Sequence, residues 1–134
     1  MNAAEHIAYW QTLAESDLEV ARRFLQRGEN LHYCLFFGHM SLEKLLKGLI
    51  VARTHEMPPK IHDLLRLADK ATLPLEKDVE ERLKIFNSFN LEARYPDYKL
   101  SFYKLCTAEF AHEHFIQIEE VYKWIKDQFP QTSS

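Results

Sequence analysis

Between Leu31 and Arg53 the chain reads as a helix that is apolar on nearly every side. Tyr33, Cys34, Leu35, Phe36, Phe37, Met40, Leu42, Leu45, Leu46, Leu49 and Ile50 leave one narrow polar stripe, His39, Glu43 and Lys47, at intervals of four residues. Such a helix has no face to give to water and must be covered from several directions. No stretch reaches the roughly 20 apolar residues that a bilayer span needs, so the cover has to come from the rest of the chain and no membrane segment is expected.

That cover is written on both sides. From Ala3 to Arg27, Ile7, Trp10, Leu13, Ala14, Leu18, Ala21, Phe24 and Leu25 recur at helical spacing. Gly28 stands where a left-handed C-terminal cap is wanted, and Asn30 is placed to cap the next helix with its side chain. Met57-Pro-Pro-Lys-Ile breaks the helical pattern, because proline removes an amide and restricts the residue before it. His62 to Ala71 carries a short apolar helix, and Leu75, Val79, Leu83, Phe86 and Asn90 mark another long one. Arg94 to Tyr98 reads as a second break. Thr107 then caps a final helix with Ala111, Phe115, Ile118, Val121, Tyr122, Ile125 and Phe129 on its core face.

The chain has 134 residues, 46% of them apolar, and a chain of this size hides roughly two-thirds of its unfolded surface, enough for one core without staples. Three glycines are too few for the many tight turns of a β-sandwich. The expected fold is all-α: an up-and-down four-helix bundle with one additional short helix, a single domain over 1–130, and a frayed tail at 131–134. The opening Met1-Asn-Ala-Ala-Glu-His carries neither a basic leader nor an apolar stretch, so a cytoplasmic protein without a signal peptide is expected.

The chemistry is narrower. Cys34 and Cys106 lie far apart in apolar surroundings and read as reduced core thiols. Seven histidines invite a metal, but His112 and His114 point about 200° apart on a helix, and nothing completes a set around His32 and His39. No nucleophile elbow, phosphate-cradling glycine run or zinc-protease motif occurs, so no metal and no cofactor are expected. Glu76, Asp78, Glu80 and Glu81 read as a solvated face. The formal charge of −3 argues against non-specific polyanion binding, yet Lys44, Lys47, Arg53, Lys60, His62 and Arg66 gather near the proline loop and suggest a local phosphate site. Gly38, Ser41, Gly48 and Ala52 form a small-residue stripe that lets another helix approach closely, within the chain or from a second copy.

Arg94-Tyr-Pro-Asp-Tyr98 is the most unusual peptide. As structure, Pro96 ends a helix, Asp97 caps the turn, and Tyr95 and Tyr98 pack over the core. As chemistry, Arg94 is a permanently charged fork suited to phosphate, flanked by rings on which a base can stack.

Taken in order, these motifs resemble the HEPN family, helical prokaryotic domains often encoded beside minimal nucleotidyltransferases. The resemblance rests on Ala14-Glu-Ser-Asp-Leu-Glu-Val-Ala21 and on Gly38-His-Met-Ser-Leu-Glu-Lys-Leu-Leu-Lys-Gly-Leu-Ile50. It continues in His62-Asp-Leu-Leu65 and Arg94-Tyr-Pro-Asp97. It implies a helical bundle that homodimerises and binds nucleotide, RNA or a partner minimal nucleotidyltransferase, as one half of a toxin-antitoxin-like system. The residues it marks are Glu43, Lys44, Lys47, His62, Arg94, Tyr95, Asp97 and Tyr98. Ribonuclease members carry Arg, four to six residues, then His before the last helix. Here Lys99, Leu100 and Ser101 occupy those positions, so a protein without nuclease activity is expected. The alternatives are a metal-independent ribonuclease using Arg94 with Lys99, His62 or His112, and a purely structural dimerisation module joined through the Gly38 to Ala52 stripe. Resemblance also marks Tyr98 or Tyr103 as an acceptor for a transferred nucleotide.

Overall fold

The computed structural model describes residues 1–130, the side chains of 96–99 excepted. Six helices follow one another, and the described residues include no strand: α1 (Ala3–Arg27), α2 (Leu31–Thr54), α3 (Leu64–Lys70), α4 (Lys77–Arg94), α5 (Pro96–Leu105) and α6 (Ala108–Lys126). None of the described helices is long and apolar enough to cross a membrane. All-α is therefore the class, with two short helices where one was expected.

The ends of α1 explain its length. Asn2 accepts the Glu5 amide at 2.8 Å while its own amide group donates to the Glu5 carboxylate at 3.0 Å, so one residue starts the helix twice over. At the other end Gly28, at φ 66, gives its N–H to the Phe24 and Leu25 carbonyls. Asn30 departs from expectation. It too is left-handed, at φ 51, and makes no side-chain cap; its backbone carbonyl instead receives the Tyr33 and Cys34 amides. A side-chain cap needs extended backbone at that position. The tight reversal between α1 and α2 consumes that freedom, and asparagine is among the few residues that tolerate the left-handed region.

Helix α2 is the hub. α1 runs along it, and α3, α4, α5 and α6 also pack on it, whereas α1 and α6 barely meet. Fifteen of its residues are buried, which is why the sequence leaves no wet face there. Two glycines of the small-residue stripe lie hard against neighbouring helices. A methyl group on Gly38 would lie 2.7 Å from Ile118 Cδ1, and one on Gly48 would lie 3.1 Å from Trp10 Cβ. The chain itself covers this stripe with α6 and α1, which corrects its reading as an interface between copies.

The unexpected helix is α5. Tyr95, extended at φ −99 and ψ 125, ends α4 and opens α5, and Pro96 takes the first helical position, where its missing N–H costs nothing. A proline read as a breaker is thus also a starter. Phe102 and Cys106 anchor the segment in the core, with the Phe102 ring stacked on Phe89 at 5.6 Å. Tyr95 is 54% exposed and does not pack over the core as expected; Asp97 and Tyr98 have side chains outside the described residues, as does the tail at 131–134. Both cysteines are free and buried, and burial pushes each thiol up to about 12.

The loop after the prolines is pinned at Asp63. Its carboxylate accepts the Leu65 amide at 3.0 Å as the cap of α3 and also the Asn87 side-chain amide at 3.0 Å, while Asn87 Oδ1 accepts the Leu64 amide at 2.9 Å. Asp63→Ala is expected to cost about 1–2 kcal/mol, measured by urea denaturation. Asp63→Asn, which keeps the acceptor, should recover most of that loss.

Candidate functional site

The polar stripe of α2 does not face water. His39 is fully buried, and the side chains of Glu43 and Lys47 are 4% and 9% exposed. Such groups survive in a core only when partnered, and each has partners. Glu43 Oε2 accepts from Lys47 Nζ at 3.0 Å, and Glu43 Oε1 accepts from His62 Nδ1 at 2.9 Å. Lys47 Nζ also lies 5.6 Å from the centre of the Trp10 ring, a cation on an aromatic face. His62, from the loop before α3, is 52% exposed and forms the outer edge of this cluster.

A second branch starts at the same loop. His39 Nε2 lies 3.1 Å from the His62 carbonyl oxygen, and His39 Nδ1 lies 3.3 Å from Asn90 Nδ2 on α4. Asn90 Oδ1 then accepts from Arg94 Nε at 2.9 Å, one helical turn on. The Arg94 guanidinium rests 5.5 Å from the centre of the Phe36 ring. Burial lowers His39 to about 4, against the smaller opposing pull of Glu43, the His62 carbonyl and Asn87. The ring is therefore neutral at pH 7 and serves as one donor and one acceptor.

Glu43 and Lys47 on α2, His62 on the loop before α3 and Arg94 at the end of α4 thus meet in one network. Other expected partners go elsewhere. Lys44 pairs with Asp17 on α1 at 2.6 Å, and Arg53 donates to the Ala71 and Thr72 carbonyls behind α3. With Lys47 on Glu43 as well, the basic cluster is largely spent inside the fold, and Lys60 and Arg66 remain exposed. Tyr95 is exposed beside Arg94, and Asp97 and Tyr98 cannot be placed in the site because their side chains lie outside the described residues. Of the alternative partners for Arg94, His112 is exposed on α6 and the side chain of Lys99 is likewise outside the described residues.

Two members escaped the sequence reading as site residues. His39 was visible as part of the stripe, four residues before Glu43. Asn90 was visible on the apolar stripe of α4, four residues before Arg94, where a lone polar residue on a buried face is itself a signal.

The larger clefts lie elsewhere. Two adjoining hollows of about 640 and 670 Å³ run between α1 and α6 and share Glu15, Tyr122 and Lys126. Tyr122 donates to Glu15 at 2.8 Å, and Arg22 bridges to Glu119 at 3.0 Å. None of the six network residues lines either hollow.

A family model described as the HEPN domain matches residues 7–128. Among solved structures, the crystal structure of TT1696 from Thermus thermophilus is similar at a TM-score of 0.76 and 24% identity, over 95% of this chain and 98% of that one. The crystal structure of ST0689, described as an archaeal HEPN homologue, is similar at a TM-score of 0.73 and 25% identity, over 91% and 96% of the two chains. A search of curated proteins gave no match.

Proposed function

The chain belongs to the HEPN family, whose model spans residues 7–128, and from that premise we propose that it binds nucleotide, or a partner minimal nucleotidyltransferase, as the helical half of a two-component system. In this reading it is a cytoplasmic homodimer without nuclease activity. The observation that carries it is the state of Arg94. Its Nε is spent on Asn90, while among the described residues its terminal amino groups have no partner. A guanidinium held by one edge over an aromatic ring presents its other edge to a phosphate in two-point contact. The exposed Tyr95 ring next to it offers a face on which a base can stack. Lys99, Leu100 and Ser101, at the positions where ribonuclease members carry histidine, support the non-nuclease part.

Titration with ATP, GTP and short RNA, alongside co-purification from the native host, tests the reading. Arg94→Ala is expected to weaken whichever ligand binds by about tenfold or more, the worth of one charge-assisted contact. No binding to any of the three, together with no nucleotidyltransferase in the purified complex, would remove the reading.

One geometric detail favours a second reading. With Nδ1 donating to the buried Glu43, the remaining polar atom of the half-exposed His62 ring is Nε2, the arrangement a general base needs. If the protein cleaves RNA without metal, and both Arg94→Ala and His62→Gln abolish cleavage, the metal-independent ribonuclease moves ahead.

A further inference from the structure

Arg94 Nε always carries a hydrogen, and a backbone carbonyl oxygen never does. These two groups stand at opposite ends of the branch that runs Arg94, Asn90, His39, His62 carbonyl, with separations of 2.9, 3.3 and 3.1 Å. The ends fix everything between. Arg94 Nε–H requires Asn90 to turn its oxygen toward the arginine, which puts the Asn90 amide N–H against His39 Nδ1. Nδ1 must then accept, so the proton of the neutral ring sits on Nε2 and is donated to the His62 carbonyl. Every group has one role and no member can reverse alone. Asn90 and His39 are both buried, so water is a poor substitute for a lost partner.

We infer that Asn90 and His39 are positioning residues, which set the aim of Arg94 toward an anionic ligand of the phosphate class and tie that aim to the backbone of the loop before α3. The inference rests on the anion-binding reading of Arg94. The same His62 whose carbonyl anchors this relay places its ring on Glu43, so displacement of the loop releases both halves of the site together. The charged or titratable groups acting on the His39 ring are Glu43 on its own helix and His62 on the loop, with the Asn87 side chain of α4 as a further polar neighbour; Arg94 is linked to it through Asn90. A second proton on His39 would set two N–H groups face to face at Asn90, and turning the Asn90 amide to relieve this would set its NH2 against Arg94 Nε–H. The charged ring and the held arginine are therefore incompatible.

The test uses the whole chain, ATP as probe and two readouts. Arg94 Nε–H should give a slowly exchanging resonance in the ligand-free protein. Asn90→Leu should remove it and weaken ATP about tenfold, yet in an Arg94→Ala background Asn90→Leu should cause no further loss, because it acts through Arg94. His39→Gln, with one donor and one acceptor, should keep the resonance and most of the affinity, whereas His39→Leu should lose both. In the parent protein the resonance should vanish as pH falls through about 4, and in His39→Gln it should persist. Equal losses of ATP affinity from Asn90→Leu with and without Arg94, or an Arg94 resonance indifferent to both Asn90→Leu and His39→Leu, would overturn the proposal. An intact relay in a protein that binds neither ATP, GTP nor short RNA would instead defeat the anion-binding reading, and the two failures are thereby distinguished.

Discussion

Glu43→Ala is expected to cost the fold about 3–5 kcal/mol, the largest effect of any single substitution in the network, because it strands a buried cation. Lys47 Nζ sits 3.0 Å from Glu43 on a side chain only 9% exposed, and its other neighbour is the Trp10 ring. A cation on an aromatic face recovers about 1–2 kcal/mol of such a loss, too little to replace a carboxylate. The substitution also frees His62, the only side chain that ties the outer loop to α2 through Glu43 among the described residues. Urea denaturation at pH 7 measures the loss. The double substitution Glu43→Met with Lys47→Leu should recover most of it, since two apolar side chains of similar size replace a buried pair at little cost. If the double variant is as unstable as Glu43→Ala, the loss does not come from a stranded cation, and the polar contacts of Glu43, with His62 among them, hold the fold instead.

Stability should also fall by about 3 kcal/mol as pH drops from 6.5 to about 4, through His39 alone. The sign follows from the direction of the change. Burial lowers His39 from 6.5 to about 4, so between those values the unfolded chain takes up a proton that the folded chain refuses, and unfolding gains. Above 6.5 neither state is protonated and the contribution is complete; below about 4 both are, and it is gone. Carboxylates titrate nearby, so the clean quantity is the difference between the parent protein and His39→Gln across the series. That difference should open between pH 6.5 and 4 and be flat above 7. Parallel curves would mean that His39 reaches a partner or water when charged.

How much of this was legible in the sequence follows from which interactions are local. Gly28 and Thr107 did what a helix end asks of them, with Thr107 accepting the Phe110 amide at 3.2 Å, and the limits of α1 coincide with its apolar period because both caps lie within the segment. Asn30 obeyed a different local rule from the one expected, because the reversal between α1 and α2 needed its backbone more than its side chain. Helix α5 was missed because Pro96 is ambiguous by itself: whether a helix resumes after it depends on Phe102 and Cys106 finding a place in the core, which is a tertiary fact. In the site, Glu43 and Lys47 were readable from a spacing of four. Lys44 and Lys47 look alike in sequence, yet one pairs with Asp17 on α1 and the other is buried on Glu43. Asn90 showed in the sequence as a lone polar residue on an apolar stripe, but its role did not, since its partners His39 and Arg94 lie on different helices.

The anion site proposed above is the surface where Arg94 and His62 emerge, and not the roomier hollows between α1 and α6. A titration of the isotope-labelled protein with ATP, followed residue by residue in nitrogen-proton spectra, tests it most directly. The Arg94 Nε–H resonance and the His62 ring resonances should move together and saturate at one affinity. Resonances of Glu15, Tyr122 and Lys126 should stay in place. Shifts confined to those three residues, with Arg94 and His62 unmoved at saturation, would contradict it.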